Sequence, residues 1–101
     1  MTQILKENGR TIVRPQRDIV VPATDELRRE LKEVIATGAG DLTIDLTGVE
    51  IIDSTGLGLL IAAHNTLKKA GSALTVTNAS TDIRELFKSM RLDKHFTVAA
   101  A

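Results

Sequence analysis

The chain has 101 residues, 43% of them apolar, and its 13 basic and 13 acidic side chains leave no net charge. That is enough for one core of modest size, too apolar for a disordered tail, and too balanced to draw in a polyanion. Phe87 and Phe96 are its only aromatic residues and it has no cysteine, so it offers neither a base-stacking platform for single-stranded nucleic acid nor disulfides or a thiolate metal site.

In chain order, Gln3–Glu7 and Thr11–Arg14 read as strands around Asn8-Gly9, a strong hairpin signal. Pro15 ends the second strand or leaves it at an edge. Asp18–Val21 is a short apolar piece before Pro22. A helix is predicted over Thr24–Thr37, with Leu27, Leu31, Val34 and Ile35 on one stripe and Arg28, Arg29, Lys32 and Glu33 mostly toward water. Asp25 and Glu26 suit its first turn and Gly38 its stop. Leu42, Ile44 and Leu46 alternate with Thr43 and Asp45, the period of a strand, and Thr47-Gly48 breaks it. Ile51 and Ile52 are apolar again, and Asp53-Ser54-Thr55-Gly56 leads into a helix over Leu57–Ala70 that stops at Gly71.

Leu74–Thr77 reads as another strand. Asp82–Arg91 reads as a third helix, carrying Ile83, Leu86, Phe87 and Met90 on one side and Glu85 in capping-box spacing to Asp82. Phe96–Val98 adds a short last strand or a packed tail. Helical crossovers imply parallel neighbours, and the hairpin adds an antiparallel strand. The fold class is α/β: a small mixed, mainly parallel β-sheet with helices packed on it. One domain over residues 1–101 is expected. Its functional loops, Pro15–Ala23, Thr47–Gly56 and Asn78–Thr81, would gather beyond the C-terminal ends of the parallel strands, with Ser54 where they meet. Met1–Glu7 lacks the basic start and apolar run of a signal peptide. Leu59–Ala63 is far too short to span a bilayer. A cytoplasmic protein with no direct membrane insertion is expected.

Ser54 is the residue on which function turns. Asp, Ser and Thr accept hydrogen bonds from the free N–H groups of a helix start, and a phosphate is also favoured at that positive end. From the local pattern, Asp53 and Ser54 are either plain helix caps or the surroundings of a phosphate-accepting hydroxyl. Catalysis by this chain is not expected. Ser54, Asp53 and His64 have the residue types of a hydrolase triad, but His64 lies ~15 Å along the same helix at 1.5 Å per residue. Ser54 also separates Asp53 from Thr55-Gly56, which breaks the Asp-[ST]-Gly spacing of small aspartic proteases. A nucleotide loop would end in Gly-Lys-[ST], which is missing. No cofactor is expected. No metal is expected either, since His64 and His95 are far apart in sequence with no carboxylate at ligand spacing.

The run D-L-T-G-V-E-I-I-D-S-T-G-L-G, with A-G-S-A-L-T-V-T-N-A-S at Ala70–Ser80 and I-R-E-L-F-K-S-M-R-L-D-K-H-F at Ile83–Phe96, resembles the STAS domain family. That family comprises cytoplasmic domains of sulphate transporters and bacterial anti-sigma-factor antagonists. About two thirds of the chain carries the resemblance in residues and the rest in element order. The chain departs from the family pattern at Arg17, where a glycine is common, at Val20, where an aspartate is common, and at Thr55 in place of a second serine. Asp18 keeps the acidic position.

The resemblance implies an anti-sigma-factor antagonist whose Ser54, directly after the motif aspartate, is phosphorylated by an anti-sigma factor that is itself a serine/threonine kinase. Thr55 would be the secondary acceptor. The unphosphorylated form would bind that kinase and release a sigma factor, and a phosphatase would reverse the modification. Partner contacts are expected at Asp18, Asp53, Ser54, Thr55, Gly56, Leu57, Asn65 and Lys68. Nucleic acid is not an expected partner, and a weak homodimer through the hairpin edge is left open. The alternative implied by the family is a constitutive STAS subunit of a lipid-transport or stress-sensing complex, with Ser54 a cap inside a permanent interface. A small ligand or nucleotide at the same rim has no dedicated motif behind it.

Overall fold

Asn8 and Gly9 both take positive φ (48° and 79°), the backbone that two-residue hairpins favour. They turn β1 (Gln3–Glu7) antiparallel onto β2 (Arg10–Arg14) in the computed structural model, which describes residues 2–38 and 40–100. Met1 and Ala101, the ends of the expected domain, lie outside the described residues. Beyond the hairpin, strands and helices alternate: α1 (Ala23–Ala36), β3 (Asp41–Asp45), α2 (Ser54–Lys69), β4 (Leu74–Ala79), α3 (Thr81–Ser89), a short 3-10 turn (Leu92–Lys94) and β5 (Thr97–Ala100). The sheet order is β1-β2-β3-β4-β5, with β2 to β5 mutually parallel. This is the mixed, mainly parallel α/β architecture expected from the sequence.

Each crossover steps in the same direction across the sheet, so right-handed connections put all three helices on one face. On that face Val13, Ile44, Val76 and Val98 stand in one row and Leu42 and Leu74 in the next. They pack with Leu27 and Leu31 of α1, Leu60 and Leu67 of α2, and Phe87 of α3 in one core. Phe96 meets Phe87 edge-on, with ring centroids 6.0 Å apart. The other face carries the row Ile12, Thr43, Thr75, Thr97. Parallel sheets are usually covered on both faces. Here, among the described residues, no helix lies on the second face, and threonine suits its strands by β-branching; Thr97 is exposed, Thr75 half-buried and Thr43 buried between its neighbours.

The structure moves several boundaries. Helix α2 begins at Ser54 rather than Leu57, because Asp53 takes the extended N-cap conformation (φ −85°, ψ 178°). The third helix is capped by Ser80, whose Oγ accepts from the Ile83 N–H at 3.2 Å, and not by an Asp82–Glu85 box. The short apolar piece Asp18–Val21 makes a single parallel bridge, Ile19 to Ile52. The fold also brings His64 and His95 together, with ring centroids 6.1 Å apart. Among the described residues no group of three or more potential ligands is placed to hold a metal ion, and no helix is long and apolar enough to cross a membrane.

Candidate functional site

Two loops at the C-terminal edge of the sheet are stitched together by backbone and carboxylates. The Ile19 N–H donates to the Ile51 carbonyl at 2.9 Å, and the Asp53 N–H donates to the Ile19 carbonyl at 3.1 Å. Asp18 Oδ1 accepts from the Glu50 and Ile51 N–H groups at 2.9 and 3.1 Å. Asp53 works in both directions, accepting from the Gly56 N–H at 2.8 Å through Oδ1 and from the Val21 N–H at 3.0 Å through Oδ2. These two bonds, Gly56 first, hold the Asp53 carboxyl below its ordinary pKa against the effect of desolvation. One carboxylate thus starts α2 and ties the β2–α1 loop to it.

Gly56 makes the junction sterically possible. A Cβ there would lie 2.6 Å from the Ile19 carbonyl oxygen and within 2.9 Å of methyl carbons of Ile19 and Ile52. The backbone of α2 therefore rests directly on the Ile19–Ile52 bridge, which only glycine permits. Arg17, the residue that stands where glycine is common, reaches the first turn of α1, where its Nη2 lies 3.0 Å from Glu26 Oε2.

Beneath the loops Asp45, at the end of β3, is 6% exposed. It accepts from Arg14 Nε at 2.8 Å, from the Thr47 N–H and Oγ1 at 3.0 and 2.7 Å, and from Asn78 Nδ2 at 2.9 Å. Burial alone would raise its pKa. The bonds from Asn78, Thr47 and Arg14 outweigh that and hold the carboxyl far below the usual range. Asn78 reaches it from a left-handed backbone (φ 57°). The ends of β2, β3 and β4 are thereby joined beneath the rim. Asp45 is thus a buried strand-end carboxylate with donors from three segments of the chain.

Ser54 is the first residue of α2 and is exposed. Among the described residues its hydroxyl makes no hydrogen bond, because Asp53 does the capping. The two local readings are thus divided between two residues: Asp53 is the cap and Ser54 presents a free hydroxyl to solvent. Thr55 is half-buried. Asn65 and Lys68 are exposed farther along α2, ~16 and ~21 Å beyond Ser54 by helical rise. Leu57, expected among the partner contacts, is 5% exposed and belongs to the core, and Gly56 is buried under the bridge. Both shape the site from below, because the helix begins a turn earlier than its apolar run suggests.

Val21 and Ile51 escaped the sequence reading. Each is 57% exposed, and each has its N–H held by one of the two loop carboxylates. For Ile51 the signal was present, since in an extended run adjacent side chains point to opposite sides and burying Ile52 turns Ile51 outward. Val21 stands two residues from Ile19, and its exposure follows from the path of the loop rather than from that alternation.

A five-stranded mixed sheet with its helices on one face, and a free hydroxyl at the mouth of the central helix, defines the class. The chain belongs to the STAS domain family, whose model matches residues 2–101. Over 70 residues it is 37% identical to the anti-sigma-B factor antagonist of Bacillus subtilis (strain 168), a match that takes in 69% of this chain and 63% of the length of that curated relative. Among solved structures, a putative anti-sigma factor antagonist from Thermotoga maritima superposes with a TM-score of 0.92 at 15% identity, over 99% of this chain and 86% of that one. The Bacillus cell fate determinant SpoIIAA in its phosphorylated form superposes with a TM-score of 0.78 at 19% identity, over 99% and 92% of the two chains. At these identities the two structures establish a common fold.

Proposed function

We propose that this chain is a cytoplasmic anti-sigma-factor antagonist: a binding module, not an enzyme, whose affinity for a kinase anti-sigma factor is set by phosphorylation of Ser54. The observation that carries this reading is the exposed Ser54 hydroxyl, which has no bond to lose among the described residues while Asp53 caps the helix. The family and the name of the Bacillus subtilis relative support the partner class. Val21 and Ile51 provide apolar anchors beside the hydroxyl, with Asn65 and Lys68 extending the surface along α2 and Thr55 the secondary acceptor. A phosphatase completes the cycle.

The physical requirement is modest. A hundredfold loss of affinity is about 2.7 kcal/mol. A phosphoserine carries roughly −1.5 to −2 charges. About 6 Å from a partner carboxylate, at an effective dielectric near 20, it is repelled by roughly 5 kcal/mol before screening. Within the domain, the helix N-terminus favours the added charge.

The test is phosphopeptide mapping after incubation with source-cell lysate and Mg-ATP, with Ser54→Ala in parallel, followed by binding assays on the purified partner kinase. One phosphoryl group on Ser54, absent from the variant, is expected. Ser54→Ala should keep its affinity and melt within a few degrees of the parent, while Ser54→Asp should bind at least about tenfold more weakly. Equal binding by both variants would sink the switch. A stable complex that is never modified would favour a constitutive subunit instead.

A further inference from the structure

Helices α1 and α2 leave a groove of about 630 Å³ between them, floored by Leu31, Ile35 and Leu59 and open above Gly58 and Ala62. Its charged lining residues are both cationic: Arg28 and Lys32, one turn apart on α1. Arg28 shares one of its N–H groups with Asp25 at 2.8 Å. Lys32 is exposed and has no ion pair or hydrogen bond among the described residues. A groove of this kind complements an apolar body with negative flanks.

Gly58 points the same way. Glycine in a helix interior lowers stability relative to alanine, so a fold keeps one there for a turn or a close contact. Gly56 has such a contact. Gly58 does not: its φ is that of an ordinary helix, and a Cβ would meet nothing within 4 Å. No requirement inside the chain accounts for it. A body lying directly against the backbone of α2 would, since a side chain at Gly58 would hold that body off. The groove walls run from Arg28 to Ala36 and from Gly58 to Thr66, each ~12 Å or about two helical turns. Small residues four apart, as at Gly58 and Ala62, allow close approach of a helix axis.

We propose that the α1–α2 groove seats an amphipathic helix with acidic flanks, supplied by a partner protein. The Gly58 end of the groove lies one helical turn beyond Ser54 on α2.

The experiment is an amide-resolved NMR titration of the full chain with a synthetic 16-residue helical peptide bearing leucines at i, i+3, i+4 and i+7 and glutamates on both flanks. The same peptide with lysine for every glutamate, and decanoate, serve as the other probes. The acidic peptide should give saturable shifts at Ile35, Gly58 and Ala62, and the basic peptide should bind at least about tenfold more weakly. Lys32→Glu should narrow or reverse that preference. Gly58→Leu should abolish binding while melting no lower than the parent, because leucine is a better helix former than glycine; that separates a blocked groove from a damaged fold. Equal binding of the two peptides, no peptide binding, shifts confined to other surfaces, or saturation of the groove by decanoate alone would each overturn the proposal.

Discussion

Alanine substitutions at Gly56 and Gly58, two residues apart on one helix, should have opposite signs. At Gly56 the added methyl would lie 2.6 Å from the Ile19 carbonyl oxygen and 2.8 and 2.9 Å from the Cγ2 atoms of Ile19 and Ile52. Two of these contacts are with buried side chains and the third with backbone already in the Ile19–Ile52 bridge, so no flexible chain end can yield. Overpacking of this kind costs about 1–3 kcal/mol, and the upper end applies because backbone must move. The helix-propensity gain returns at most ~1 kcal/mol, leaving Gly56→Ala less stable by about 2 kcal/mol. For a domain of this length that is a fall in Tm of roughly 8–16 °C. At Gly58 the methyl meets nothing, so the propensity term acts alone and Gly58→Ala should be more stable by up to ~1 kcal/mol. Thermal unfolding by circular dichroism, with urea titrations to confirm equal m-values, measures both. In Gly56→Ala the Val21 and Ile51 amides should also exchange faster, since the loop stitched by Asp18 and Asp53 must lift. A neutral or stabilised Gly56→Ala would refute the close-approach argument.

Asp45→Asn should lose about 2 kcal/mol at neutral pH, since one carboxamide oxygen replaces a carboxylate that accepts four hydrogen bonds, including one from a partly exposed Arg14. The folded-state pKa of Asp45 is depressed below its ordinary 3.8. Its contribution is therefore fully present above about pH 4 and drains away as pH falls below that value. The urea midpoints of parent and variant should stay a constant distance apart from pH 7 to 5 and converge toward pH 3. A gap independent of pH would refute the charge assignment. Val21→Ser and Ile51→Ser should leave stability within about 1 kcal/mol, both side chains being largely exposed. Each should nevertheless weaken binding to the proposed anti-sigma-factor partner at least tenfold, or about 1.4 kcal/mol. Unchanged dissociation constants would remove the two side chains from the interface.

Local patterning determined a good deal of this protein. The Asn8-Gly9 turn, the alternation through Leu42–Leu46 and the apolar stripes of three helices led directly to a mixed α/β sheet, because hydrophobic periodicity and turn chemistry act over a few residues and need no distant partner. The family of the chain was legible for the same reason, since its motif is contiguous.

Tertiary structure decided how labour is divided around Ser54. Asp53 could be recognised as the cap, and Ser54 as a free hydroxyl, only once the loop of Ile19 to Val21 was in place to use the second carboxylate oxygen. The same holds for Gly56, whose need for a missing side chain is imposed by a carbonyl 37 residues earlier in the chain, at Ile19, and for Asp45, whose donors come from three separate segments. Contacts between segments far apart in sequence leave no periodic trace in either one. Steric fit and hydrogen-bond geometry at such junctions exist only after the chain has folded.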